Sequence, residues 1–338
     1  MRNNSIDITK GLGIYLMVLC HTGMSNVLTV WIYSFHMPLF FIVSGYLSAN
    51  YPPPQLSQVQ GETDTFRDKI SKIAISVVNK SRKLLIPYFL FALVFCFGKN
   101  AYKDWVYIIY GSRNTLEMAS SLTPYWFLPC FFLSSVFYYM ITIFFTKKVT
   151  TFASLLIGLF GLFVSKHIPS IGLPFSMDVA MVGIGLMGLG ALLFNIEKKA
   201  ALKFIFLAGV IASVLCFYNR PPSLDIQCPH VEMSISSYGN PLLFIFISVS
   251  ITATLLYMSA KVSKKIKMNI IAYFGRNSLT ILLIHPFFVT ITYGFFKVLN
   301  FDNTNLITSI IFSIPVMILS AIFAEFSNKY VPNIIGKK

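Results

Sequence analysis

Three histidines stand inside long apolar stretches of this chain: His21 in GLGIYLMVLCH, His36 in FHMPLFF and His285 in ILLIHPFF. An ionisable side chain is expensive to bury in such surroundings, so each is a candidate for chemistry. Imidazole exchanges protons near working pH, its ordinary pKa being about 6.5, so the chemistry on offer is proton transfer. Lys10 precedes His21 by roughly 16 Å along a helix that rises about 1.5 Å per residue. With Lys10 at the inner membrane edge, His21 is expected near the midplane. Asp7 lies one turn before Lys10. His36 and His285 both adjoin a proline, Pro38 and Pro286, and a second role is open to them there. An imidazole can satisfy a backbone carbonyl freed at a helix kink. His167 and His230 fall in polar connecting segments and are expected to be solvated.

The elements that must position these residues are membrane helices. The chain has 338 residues, of which 56% are hydrophobic and 12% charged, against about 25% charged in a soluble domain. A helix crosses the hydrocarbon core with roughly 20 mostly apolar residues. Such runs lie near 9–25, 30–49, 84–98, 125–145, 149–165, 177–195, 204–218, 241–260, 277–296 and 305–326. They are continuously apolar, without the period-two alternation of a membrane barrel. The expected fold is an all-α integral membrane protein of about ten transmembrane helices, a single polytopic domain over 1–338.

The net charge of +15 raises the question of nucleic acid, and the placement of the charges argues against it. With a cytoplasmic N-terminus, 21 of the 27 Lys and Arg residues fall on the inner side. The outer side keeps Lys99, Lys103, Arg113, Lys166, Arg220 and Lys297. This is the positive-inside pattern, and it predicts both termini in the cytoplasm. The first apolar run lacks a small-residue cleavage site and is followed at once by a second, so it is not read as a signal peptide. The five cysteines are scattered, with no metal spacing and no disulfide framework. A Pro- and Gln-rich stretch opens the segment 51–83. Its second half, Arg67 to Lys83, alternates basic and apolar residues and predicts an amphipathic helix on the inner surface.

SIDITKGLGIYLMVLCH, residues 5–21, resembles the signature of the membrane acyltransferase-3 family, through Asp7, Lys10, Gly11 and His21. FHMPLFFIVSGYL, residues 35–47, resembles the family's second motif. Similar stretches follow in order: KLLIPYFLF (83–91), WFLPCFF (126–132), FSMDVAMVGIGLMGLGALL (175–193), YGNPLL (238–243) and YFGRNSLTILLIHPF (273–287). Within the family the chain looks most like the fucose 4-O-acetylase branch. It departs from the larger branch in carrying Lys10 where Arg is more frequent, and in lacking a Glu after the WFLPCFF motif. Those departures bear on the acceptor.

The resemblance implies transfer of an acetyl group from acetyl-CoA to a sugar hydroxyl of a surface polysaccharide or its lipid-linked precursor, at a bacterial cytoplasmic membrane. It implies no bound cofactor, since acetyl-CoA enters as co-substrate. His21 would act as general base or carry the acetyl group transiently, with Lys10, Asp7 and His36 completing the catalytic set. Lys80, Arg82 and Lys83 stand where CoA phosphates could be held, although positive-inside anchoring explains them equally. Trp126, Asp178, Tyr238 and Asn240 fall near outer helix ends and are acceptor candidates, with His285 assigned to the same set. Trp126 and Tyr238 can instead be aromatic-belt residues, and Asp178 a helix cap. A transporter or flippase for a lipid-linked glycan, using the same histidines as a proton relay, is the competing class.

The topology is checkable directly. Reporter fusions after Lys148, Lys199 and Lys267 should read cytoplasmic, and a fusion near Arg113 should read external. An external signal at Lys338 would overturn the arrangement.

Overall fold

The structure, a computed structural model, describes residues 4–23, 27–50, 65–95, 101–119, 122–167, 171–193, 202–221, 229–299 and 306–337. Among these the regular structure is helical, apart from one isolated antiparallel bridge between Glu232 and Ser237. The helices are α1 (Asn4–His21), α2 (Val27–Tyr33), α3 (His36–Asn50), α4 (Phe66–Phe95), α5 (Ala101–Tyr110), α6 (Arg113–Met118) and α7 (Phe127–Phe144). They continue with α8 (Lys147–Val164), α9 (Met177–Leu192), α10 (Leu202–Leu215), α11 (Pro241–Ser263), α12 (Asn269–Arg276), α13 (Ser278–Val298) and α14 (Leu306–Tyr330). The Pro- and Gln-rich stretch as far as residue 64, Lys198 and Lys199, and residues 222–228 lie outside the described residues.

Seven helical stretches among the described residues are long and apolar enough to cross a membrane: Val27–Asn50, Thr123–Phe144, Lys147–Val164, Pro174–Leu192, Pro241–Ser263, Ser278–Val298 and Leu306–Tyr330. The chain is therefore a multi-pass, all-α integral membrane protein. Large apolar side chains line the outside of these helices, Phe152, Leu156, Phe160 and Phe163 on α8 among them, as contact with lipid requires. The other three expected spans are helical but shorter or more polar. Helix α1 carries Asp7 and Lys10 within 18 residues, and α10 has 14 residues. As far as Phe95, the run expected at 84–98 is the C-terminal part of the 30-residue α4, and 96–98 lie outside the described residues. The basic stretch from Arg67 and the apolar run after Lys83 are thus one continuous helix. A capping arrangement starts it: Asp68 accepts from the Thr65 hydroxyl and backbone N–H. Those hydrogen bonds hold the Asp68 carboxyl below the usual carboxylate value.

The described residues group into two compact units. The first takes Met1–Phe40, Ile196–Glu232 and Ser237–Ile335. Helix α1 is its centre, packed by α11, α12, α13 and α14. Its residues Ile8, Ile14 and Met17 are fully buried, which is why a helix bearing Asp7 and Thr9 is enclosed by protein. The second unit takes Phe41–Asn195, Met233–Ser236 and Gly336–Lys338. There α9 packs on α8 and α7, and α4 on α7. Small residues let these helices approach closely: the Cα of Gly158 faces that of Gly185, and Gly45 sits on the Met187 carbonyl.

The tightest seam of the first unit joins α1 to α12. A Cβ on Gly11 would lie 1.9 Å from the Ile271 carbonyl oxygen, and one on Gly275 would lie 1.7 Å from that of Asp7. Backbone is in the way at both positions, so no rotamer change relieves the clash. Gly11→Ala and Gly275→Ala should each lower the thermal midpoint of the purified protein, by stability on the order of 1–3 kcal/mol. Gly294→Ala is the control. Nothing lies within 4 Å of that position, so the better helix former should leave the midpoint unchanged or raise it.

Candidate active site

The site starts from a proline. Pro286 has no N–H to give the carbonyl four residues back, that of Leu282. His285 takes over that carbonyl, with Nδ1 at 2.8 Å from the Leu282 oxygen and 3.2 Å from the Ile281 oxygen. Carbonyl oxygens only accept, so Nδ1 of His285 carries the hydrogen and its Nε2 carries a lone pair. That Nε2 stands 2.8 Å from Nδ1 of His21. The hydrogen between them belongs to His21. The two ring planes are within 11° of parallel, with centroids 4.9 Å apart. His21 is left with its lone pair on Nε2, the arrangement of a base or a nucleophile.

Helix α1 ends at His21, short of the expected residue 25. The Thr22 hydroxyl donates to the Leu19 carbonyl, and Gly23 turns into the left-handed region at φ +86°, which stops a helix. His21 is therefore held at a helix end, partly buried, beside a fully buried His285.

His36 belongs to a second proline kink in the same unit. Pro38 frees the Ser34 carbonyl, and the Ser248 hydroxyl satisfies it at 3.0 Å. Nδ1 of His36 donates to the Ile32 carbonyl at 3.0 Å, across the break between α2 and α3. Its ring meets Tyr33 edge-on, with centroids 4.9 Å apart. Tyr33 also packs on His230, at 4.3 Å. His230 was expected to be solvated. It is 8% exposed, because an aromatic neighbour from α2 covers it. His167 is exposed, as the sequence predicts.

The remaining candidates separate by unit. Asp7 and Lys10 flank the seam of α1 against α12, Asp7 being buried and Lys10 partly so. Asn240 caps α11, its side-chain oxygen accepting from Leu242 and Leu243. Asn219 accepts from the Asn240 N–H and donates to the Tyr238 carbonyl, and the buried Tyr238 packs on Phe244. In the second unit Lys80 is turned inward. Its ammonium donates to the Ser135 carbonyl and lies 5.1 Å from the centre of the Tyr139 ring, whereas Arg82 and Lys83 are exposed. Trp126 is buried against Phe127 at the start of α7. Asp178 is a clasp. It accepts from the Leu173 N–H at 3.3 Å and the Ser236 hydroxyl at 2.7 Å, and beside it lies a polar cavity.

An integral membrane protein with an imidazole pair, one ring exposed in part and held as a neutral base by the other, fully buried one, is equipped for acyl or proton transfer. The chain belongs to the membrane acyltransferase-3 family, whose profile, described as an acyltransferase domain, matches residues 3–325. It is on that basis a membrane acyltransferase. No curated protein matches it.

The tautomer can be read by nitrogen NMR of histidine-labelled protein in a lipid environment. His21 should show its hydrogen on Nδ1 and a lone pair on Nε2. In His285→Leu the partner is gone, and the His21 signal should move toward exchange between tautomers. An Nε2-protonated His21 in the unmodified protein would contradict the assignment.

Proposed function

We propose that this acyltransferase moves an acetyl group from acetyl-CoA to a sugar hydroxyl of a surface polysaccharide or its lipid-linked precursor. The bacterial cytoplasmic membrane would be its place, with about ten helices crossing it and both termini inside. The observation that carries the proposal is the His21–His285 pair. As general base, His21 Nε2 takes the acceptor hydroxyl's proton while that oxygen attacks the thioester carbonyl. The C–O bond forms, the C–S bond breaks, and the imidazolium passes the proton to the departing thiolate. As acyl carrier, the same nitrogen attacks the thioester first and expels the thiolate; the sugar oxygen then takes the acetyl group as the N–C bond breaks, and the hydroxyl proton passes to the thiolate. Both routes need a lone pair on Nε2, so the same tautomer serves either.

In this reading His285 is a positioning residue, and the acceptor role first assigned to it passes elsewhere. The orientation of the base is worth up to about 10⁴-fold where a catalytic imidazole is held in the wrong tautomer. Lys10 and Asp7, on the helix that ends in His21, orient the donor or that helix. His36 braces the Pro38 kink. Arg82 and Lys83 remain available for CoA phosphates by charge-assisted hydrogen bonds, and the Lys80 ammonium already has its partners. Family membership favours acyl transfer over the transporter reading.

Washed membranes supplied with labelled acetyl-CoA and the surface glycan provide the test. His21→Ala should reduce acetylation by about 10²–10⁴-fold, the usual worth of general-base help, at matched abundance in the membrane. His285→Leu should also fall steeply, and His285→Gln should recover part of the loss because its side-chain oxygen can accept from His21 Nδ1. Near-normal transfer by His21→Ala would remove His21 from the chemistry.

A further inference from the structure

The second unit holds a cavity of about 80 Å³ whose walls include Arg113, Asn114, Ser176, Asp178, Ser234 and Ser236. We infer that this cavity is a binding site for the hydroxyl-bearing edge of a neutral sugar. The inference rests on the acyl-transfer reading for its purpose, and on the cavity alone for its chemistry.

The walls are built rather than incidental. The Ser112 hydroxyl donates to the Ile171 carbonyl at 2.6 Å, and the Tyr110 hydroxyl to that of Gly172 at 2.9 Å. Asp178 ties the 173 and 236 segments together from the other side. Among the described residues three non-glycine residues have positive φ: Phe175 at 56°, Ser176 at 49° and Ser236 at 58°. Two of them line this cavity and the third is next to Ser176. Left-handed backbone at a residue with a Cβ is strained, and strain gathered in one place is a mark of ligand clamps. Ser176 adds a second sign. It is 2% exposed, and its hydroxyl has no hydrogen-bond partner, an expensive state for a buried polar group.

The donors and acceptors narrow the ligand. Arg113 only donates, Asp178 only accepts, and the serines and Asn114 do both. A sugar hydroxyl likewise donates and accepts at once, so a vicinal diol matches such a wall. A carboxylate or phosphate would face Asp178, and a cation would face Arg113, whose charge is already paired with Glu117. The space, about 80 Å³, is small beside a whole glycan. It admits one edge of a ring or an exocyclic hydroxymethyl, with the rest of the glycan outside. The lining segments fall in the connections that the Lys and Arg distribution assigns to the outer side, where a surface glycan would be met.

The test uses the whole protein, purified without acetyl-CoA, with methyl hexopyranosides and their 6-carboxylate counterparts as probes. Calorimetric titration should detect the neutral hexosides and little or nothing from the uronates. Ser176→Gly removes both the unpartnered hydroxyl and the left-handed strain, so it should raise the thermal midpoint. It should at the same time weaken hexoside binding by about 3- to 10-fold, the worth of one neutral hydrogen bond. Asn114→Ala should weaken binding similarly. A purely structural loop cavity would show the first effect without the second. Failure of every hexoside to bind the unmodified protein, equal binding by Ser176→Gly, or tighter binding of the uronates would each overturn the assignment. Hexoside binding by a protein that transfers no acetyl group would count against the reaction and leave the pocket standing.

Discussion

The site depends on a hydrogen bond that cannot form. Because Pro286 lacks an N–H, the Leu282 carbonyl has no helical partner, and in a membrane helix water is not there to supply one. His285 meets that need with Nδ1. Once it does, the lone pair on its Nε2 is fixed, the hydrogen on His21 Nδ1 is fixed, and the lone pair of His21 stands on Nε2. Backbone chemistry at one proline is transmitted through two rings to the atom proposed to act. The arrangement also accounts for a fully buried His285: neutral, it makes its hydrogen bonds and buries no charge.

The rest of the first unit serves the same constraint by fixing where α1 can be. An N···N bond of 2.8 Å between residues 264 positions apart tolerates little movement of either helix. Helix α1 is pinned by backbone-to-backbone contact at Gly11 and Gly275, below the turn that carries His21. Glycine does this where a larger residue could not, since it lets carbonyls stand where a Cβ would be. Rigid small-residue contacts, with no flexible side chains between them, suit a helix whose last residue must keep one geometry.

Much of this was legible in the sequence, for physical reasons that also mark where legibility stops. Burial of a charge is so costly that His21, His36 and His285 stood out from their apolar neighbours by type alone. The HP dipeptide at 285–286 likewise announced a freed carbonyl. What it could not announce was that the imidazole serving that carbonyl also faces His21, because pairing between distant helices leaves no local trace. The continuity of α4 through Lys83 was hidden for a related reason: a basic residue reads as a membrane boundary whether or not the helix stops there. The cavity beside Asp178 was invisible apart from Asp178 itself. Its serines come from segments as far apart in the chain as Ser112 and Ser236, and serine in a loop carries no signal until the fold gathers several around one space.

A comparison with soluble acyl-transfer sites shows what the membrane changes. There an ionised aspartate orients the imidazole and stabilises the cation formed when it takes a proton. In an apolar helix bundle such a carboxylate would carry a heavy desolvation cost and need partners of its own. Here two backbone carbonyls and a neutral histidine fix the same feature, the tautomer, without a buried charge. The substitution keeps orientation and gives up electrostatic support for the imidazolium. In the proposed reaction that loss is tolerable, because acetyl transfer from a thioester releases a thiolate that takes the proton back. The cation need last only as long as the C–S bond takes to break. A weak leaving group would need the carboxylate; a thioester donor is the chemistry that a neutral histidine pair can serve.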